Sequence, residues 1–268
     1  MVDWTLSSLG VAGQETPERG GRRICWVRSW TWWRYVKEYF PLRLKKLPGV
    51  DLDSKRNYLF CGFPHGFLPS GGLNAFLSDH SEFGHLFPYH TPHMAVVKVQ
   101  FNFLITRELF LSLGAIASTT KSIEYVLGRP GGGNVCGLMV GGAKEVYNSK
   151  PGTYRIILKN RRGFVRLALR TGAPMVPFFS FGETDLYDQV MAVLIGRGFF
   201  QRSFGIIPRD CPVTTVVGEP IDVPQTDEPT EEQIDKFHRK FVDKLTQLFE
   251  EQKFLYLEKP DDTELIIE

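Results

Sequence analysis

No stretch of this sequence is apolar for long enough to cross a bilayer. The best candidate, Met94 to Ser118, is broken by Lys98, Arg107 and Glu108. Met1 to Gly13 is too short and too polar for a secretory signal, so none is expected. Cys25, Cys61, Cys136 and Cys211 show no paired spacing, which argues against a disulfide scaffold and a zinc site and for a reducing compartment. His80, His85, His90 and His93 crowd one loop without forming His-Glu-x-x-His or another metal-ligand pattern. A Gly-x-Ser-x-Gly elbow is missing, which disfavours a serine ester hydrolase. The glycine turn at 128–134 lacks the Lys-Ser/Thr ending of a phosphate loop. Net charge is only +2 and no basic face runs through the chain, so nucleic acid is not an expected partner.

What charge there is lies unevenly. Residues 1–50 carry nine Lys/Arg against four Asp/Glu, and residues 222–268 carry six against fourteen. That asymmetry suits a basic end near an anionic surface and an acidic end in solvent. Residues 1–23 are rich in Gly, Ser and Arg and are expected to be poorly ordered. Residues 24–268 form one domain that opens with an amphipathic helix. There Trp26, Trp30 and Trp33 recur at helical spacing with Arg28, Arg34 and Lys37 between them, up to Pro41. Tryptophan favours the headgroup layer and basic residues beside it favour anionic lipid, so the helix is read as interfacial. A core helix packing its tryptophans is the alternative.

The central stretch is Asn57-Tyr-Leu-Phe-Cys-Gly-Phe-Pro-His-Gly-Phe-Leu-Pro-Ser-Gly-Gly-Leu-Asn74. Tyr58 to Cys61 is short, apolar and aromatic, as a buried strand is, and Gly62, Pro64, Gly66 and Pro69 break it. His65 therefore falls at a strand's carboxyl end, where open α/β sheets bind ligands. Its ring suits proton transfer near neutral pH, and a turn histidine holding a backbone carbonyl is the plain alternative. Two more apolar strands end in glycine and then a carboxylate: Val135 to Val140 before Gly-Gly-Ala-Lys-Glu145, and Ala173 to Phe181 before Gly-Glu183. With the strand Tyr154–Leu158 and the helix Gly163–Thr171, they read as a right-handed crossover in a parallel sheet. The fold class expected is α/β, a single domain with a mainly parallel mixed sheet flanked by helices. Arg162, Arg166 and Arg170 share a helix face in a stretch with seven bases and no acid, a face for phosphates or simply for solvent. Thr230-Glu-Glu-Gln233 is a capping box, and Ile234, Phe237, Phe241, Leu245 and Leu248 make the stripe of a long packing helix.

Together, Tyr39-Phe-Pro41, Phe63-Pro-His-Gly66, Val140-Gly-Gly-Ala-Lys-Glu145, Arg162 to Gly172 with Val176 to Glu183, and Thr214 to Ile221 resemble the diacylglycerol acyltransferase type 2 family, in that family's order. Glu15 to Arg23 and the aromatic helix look most like its monoacylglycerol acyltransferase branch. Three departures stand out. Phe63 replaces the first His of the usual His-Pro-His-Gly, no counterpart of the family's N-terminal membrane hairpin is expected, and only Thr184 to Ile195 stand where the family has a longer insertion before Gly196-Arg-Gly198.

The resemblance implies a glycerolipid-acyltransferase-like fold and transfer of an acyl group from acyl-CoA to a monoacylglycerol or diacylglycerol hydroxyl. It implies acyl-CoA as co-substrate with no metal or redox cofactor, and residence on the cytosolic face of the endoplasmic reticulum or on lipid droplets. His65 is then the base. The related glycerol-phosphate acyltransferases carry an Asp a few residues after the histidine, but Ser70 stands five on here. Glu145 is therefore the expected ring partner and Glu183 the second choice. Gly66, Gly71, Gly72 and Asn74 are expected near the oxyanion, and Arg162 and Arg166 at the CoA phosphates beside the pocket mouth. A wax-alcohol acyltransferase and a catalytically silent lipid-binding or partner-regulating protein are the alternatives, and homo- or hetero-oligomers stay open.

Overall fold

A computed structural model describes residues 15–147, 149–190, 193–195 and 208–268. The Gly196-Arg-Gly198 stretch and most of the expected disordered stretch 1–23 lie outside these residues. The described part of that stretch is built into the fold. Thr16–Glu18 is a 3-10 turn, and the buried Ser122 hydroxyl donates to the Pro17 carbonyl at 2.8 Å.

The strands in chain order are β1 (Arg43–Lys46), β2 (Tyr58–Phe63), β3 (Thr91–Val96), β4 (Ala115–Ala117), β5 (Asn134–Met139), β6 (Tyr154–Ile156), β7 (Met175–Phe181), β8 (Asp188–Val190), β9 (Val193–Ile195), β10 (Thr214–Val217) and β11 (Leu265–Ile267). Seven of them form one sheet in the order β1-β10-β7-β2-β5-β3-β4. Its five strands from β7 to β4 are all parallel, and β10 joins β7 antiparallel. The helices are α1 (Cys25–Arg28), α2 (Thr31–Tyr39), α3 (Ser70–Leu77), α4 (Phe83–Leu86), α5 (Leu104–Leu113), α6 (Thr120–Leu127), α7 (Ala143–Val146), α8 (Gly163–Thr171) and α9 (Glu231–Tyr256).

The period-2 side-chain alternation of a strand sorts the core into two layers. From β2, Leu59, Cys61 and Phe63 pack on the side of α6, α8 and α9, whereas Tyr58 and Phe60 pack on the side of α3, α4 and α5. Every residue of β2 is buried, as expected for a central strand covered on both faces. α9 starts at the capping box: Thr230 Oγ1 accepts from the Gln233 amide and the Gln233 side chain accepts from the Thr230 amide. Ile234, Phe241, Leu245 and Leu248 of its stripe are buried.

Two sequence expectations are corrected here. β6 lies outside the main sheet and pairs with β11 from the chain's far end, so the stretch from β6 through α8 to β7 is not a crossover within one sheet. The aromatic helix is two pieces, α1 and α2; Arg34 stays exposed beside Trp33, but Arg28 and Lys37 turn away from the tryptophans. Arg28 is 1% exposed. Its Nε donates to Asp79 at 2.8 Å and its Nη1 to the carbonyls of Phe76 and Leu113, near the carboxyl ends of α3 and α5. One guanidinium thus satisfies orphan carbonyls of two helices, and its charge opposes both dipoles. Lys37 is likewise tied, to the His80 carbonyl at 2.9 Å and to Glu82 at 2.6 Å. Three tryptophans do stay outside: Trp26 is 71% exposed, Trp32 64%, and Trp30 is also exposed. Among the described residues no helix is long and apolar enough to cross a membrane.

Replacing Arg28 by Met strands the two helix-end carbonyls and leaves Asp79 with Arg23 alone, at 3.2 Å. The expected cost is about 2–4 kcal/mol, seen as a fall in Tm of about 5–15 °C for a domain of this size. An unchanged Tm would mean that the buried guanidinium is dispensable to the junction of α1, α3 and α5.

Candidate active site

Three parallel strands deliver the site at their carboxyl ends: β2 ends in the His65 loop, β5 in Glu145 and β7 in Glu183. Both carboxylates are buried, and both turn to main-chain amides of the neighbouring loops. Glu145 Oε2 accepts from the His65 N–H at 2.7 Å and its Oε1 from the Ile157 N–H at 2.7 Å. Glu183 Oε1 accepts from the Ser70 N–H at 2.8 Å and its Oε2 from the Gly71 N–H at 2.8 Å, at the start of α3. The loop that carries His65 is thus clamped at its first and last turns.

Glycine makes the approach possible. Gly66 has φ +60°, a region unfavourable to other residues, and a Cβ there would stand 2.9 Å from the Glu183 Cγ. At Gly141 a Cβ would lie 2.0 Å from the Glu145 carboxyl carbon. Burial pushes the Glu145 carboxyl up to about 7 and Glu183 up to about 8. The N–H bonds oppose that rise in both, and for Glu145 so does Arg161, which also donates to the Gly141 carbonyl at 2.7 Å.

The His65 ring finds its own orientation. Nδ1 lies 3.0 Å from the Gly66 carbonyl oxygen, so that nitrogen carries the proton and donates, and Nε2 keeps its lone pair. Burial lowers the pKa of the ring below the ordinary 6.5, so it is neutral at pH 7 and able to accept a proton. The expected Glu145–ring dyad is corrected accordingly. Glu145 does meet His65, but at the main-chain nitrogen, and a carbonyl fills the place at Nδ1. Gly71 is corrected in the same way, because its amide is already committed to Glu183.

Phe63 is fully buried and packs against Phe241 of α9, with ring centroids 6.4 Å apart. The position just before Pro64-His-Gly66 therefore points into the α9 layer, and an aromatic side chain suits it.

Beside α3 runs an apolar groove of about 350 Å³. α2 contributes Trp33 and Val36, α5 contributes Leu109, Phe110 and Leu113, and α3 contributes Ser70, Leu73, Asn74 and Leu77. His65 stands outside this wall, three residues before its member Leu68. The groove residues of α2 and α5 went unrecognised in the sequence, although Leu109 and Leu113 at i and i+4 form a stripe without a polar partner. The α8 arginines do not reach the groove. Arg162 pairs with Asp235, Arg166 with Glu231 at 2.7 Å and Arg170 with Glu124 at 3.1 Å. The acids that α8 lacks are supplied by α9 and α6, which turns the expected phosphate face into a ladder between helices. Among the described residues no group of three or more His, Cys, Asp and Glu is placed to hold a metal ion.

Comparison with known proteins shows the family. The family model described as "Diacylglycerol acyltransferase" matches residues 4–193 and 190–268. The chain is 41% identical over 263 residues to 2-acylglycerol O-acyltransferase 1 of Mus musculus, covering 90% of this chain and 78% of that protein. It is 39% identical over 264 residues to acyl-CoA wax alcohol acyltransferase 1 of Homo sapiens, covering 90% and 80%. A looser likeness, with TM-score 0.44 and 12% identity over 79% of this chain and 77% of the other, is to the crystal structure of the 1-acyl-sn-glycerophosphate acyltransferase PlsC from Thermotoga maritima. The chain belongs to the diacylglycerol acyltransferase family.

Proposed function

We propose that this chain is an acyl-CoA:acylglycerol O-acyltransferase of neutral lipid synthesis, with His65 as its base. The observation that carries the reading is a histidine whose Nδ1 is committed to the Gly66 carbonyl and whose main chain is clamped at the carboxyl end of a central parallel strand, in the loop that runs on to Leu68 and Ser70 of the apolar groove. Nε2 takes the proton of a lipid hydroxyl while its oxygen attacks the thioester carbonyl. The tetrahedral oxyanion collapses, the C–S bond breaks, and the imidazolium returns its proton to the departing CoA thiolate. The Asn74 side chain, buried in the groove wall one turn after Ser70, is the proposed donor to the oxyanion. The groove falls within the roughly 300–1,000 Å³ typical of small-molecule pockets and takes the acyl chain. Monoacylglycerol is the acceptor favoured by the Glu15–Arg23 resemblance, and competition with a diacylglycerol and a long-chain alcohol tests that choice.

The reaction is proposed to run at a membrane surface, on the cytosolic face of the endoplasmic reticulum or on a lipid droplet. α2 and α5 form the groove and also carry exposed apolar side chains: Trp32 and Tyr35 on one, Leu104 and Ile105 (83% exposed) on the other. A lipid leaving the bilayer between them enters the groove without crossing water.

His65→Ala is expected to lower kcat by about 10²–10⁴-fold in a micellar acyl-CoA turnover assay, with the fold intact. The sign of the pH dependence follows from the depressed pKa: kcat/KM rises with pH as the ring loses its proton, and the midpoint of the acid limb lies below 6.5. Retained turnover in His65→Ala would remove the histidine from the chemistry. For the surface, replacing Leu104 and Ile105 by Ser is expected to weaken flotation with anionic vesicles by about tenfold or more, as is replacing Trp26, Trp30 and Trp32 by Ala. Unchanged flotation in both variants would place the membrane contact elsewhere.

A further inference from the structure

We infer that the nucleotide phosphates of CoA bind over the carboxyl ends of β3 and β4, on Lys98 and Lys121, at a site that the Glu18 carboxylate now occupies. The inference rests on the acyltransferase reading and replaces the α8 arginines, whose charges α9 and α6 already neutralise.

Topology supplies the first argument. β2, β5, β3 and β4 are parallel neighbours, so their carboxyl ends form one rim, and ligands of open α/β sheets lie along such rims. Gly62 is level with Met139, Ala95 with Leu138 and Val96 with Ala117. Three strand spacings of ~4.8 Å thus put the end of β4 about 14 Å from the end of β2. The extended pantetheine arm of CoA spans such a gap, which leaves the thioester at His65 and the phosphates at the far strands.

The rim there is basic and hollow. A cavity of about 630 Å³ is bordered by Lys98, Phe101, Asn102, Arg107 and Lys121, with Glu18 on its N-terminal side. Lys98 follows β3, while Lys121 lies in the first turn of α6, whose cap Thr119 accepts from the Ser122 amide at 3.3 Å. A helix start is a place where phosphate is stabilised, and two lysines converge on this one.

An internal anion already sits in the site. The Glu18 carboxylate lies 2.9 Å from Lys121 and 3.6 Å from Lys98. Lys121 holds that carboxyl below the ordinary range. Glu15, the other acid at the cavity, is paired with Arg19 at 2.6 Å. The 3-10 turn Thr16–Glu18 therefore acts as a competitor for the phosphates, and CoA takes the lysines from it.

The test uses the full chain in detergent micelles. CoA itself is titrated calorimetrically into the wild type, Lys98→Ala/Lys121→Ala and Glu18→Gln, and acyl-CoA turnover is measured in parallel. The expected result is a CoA Kd and an acyl-CoA KM raised about tenfold in the double variant, with kcat within about twofold, the pattern of lost uniform binding. Added salt should weaken CoA binding in the wild type more than in the double variant, and Glu18→Gln should bind CoA more tightly than the wild type. Unchanged Kd and KM in the double variant would overturn the site. So would a loss seen only in flotation with phosphatidylserine vesicles, since the lysines would then serve lipid headgroups. A wild type that binds CoA through these lysines but turns over no acyl-CoA would sink the acyltransferase reading and leave the site standing.

Discussion

Two buried carboxylates hold the His65 loop, and the rest of the site depends on that clamp. Loops rarely bury their own amides, because water is lost and no ladder replaces it. Here β5 and β7 each send a glutamate to the loop that leaves β2 between them. Glu145 takes the amide of His65, and Glu183 takes those of Ser70 and Gly71. The loop is thereby tied at both ends to the segments that follow β5 and β7, and the ring of His65 needs only the adjacent Gly66 carbonyl to set its tautomer. Burial works against ionisation of both acids, and the N–H donors work for it, so the clamp balances the two. Arg28 secures the other end of α3, near the carboxyl terminus of the helix that Glu183 starts.

The division of labour between the faces follows from strand alternation. The layer of α6, α8 and α9 is a packed aromatic core closed by an ionic ladder, and Phe63 belongs to it. In the opposite layer the outer helices α2 and α5 leave a groove and exposed apolar tips. The groove and the exposed apolar side chains therefore gather on one side of the sheet.

Much of this was legible in the sequence. The apolar run of β2 broken by Pro and Gly placed His65, the glycine-then-glutamate strand ends placed Glu145 and Glu183, and the capping box placed α9. What escaped depends on contacts far apart in the chain. A carboxylate looks the same in a sequence whether it meets an imidazole or an amide, so the role of Glu145 could not be read. Arg28 looked interfacial because tryptophans surround it, whereas the orphan carbonyls of two distant helices bury it. Arg162, Arg166 and Arg170 seemed free because their partners Asp235, Glu231 and Glu124 lie on other helices. β6 looked like a sheet strand, and only the chain's far end revealed its true neighbour.

Residue-level hydrogen exchange on Glu145→Gln tests the clamp most directly. The substituted amide keeps one acceptor oxygen and points an NH₂ at the second donor, so one of the two N–H groups loses its bond. The account predicts faster exchange across residues 65–71, unchanged protection of β2 and β5, and a fall in kcat of at least about tenfold with acyl-CoA KM preserved. Unaltered exchange at His65 together with an unaltered kcat would show that the loop holds itself and that the buried carboxylate does not position the base.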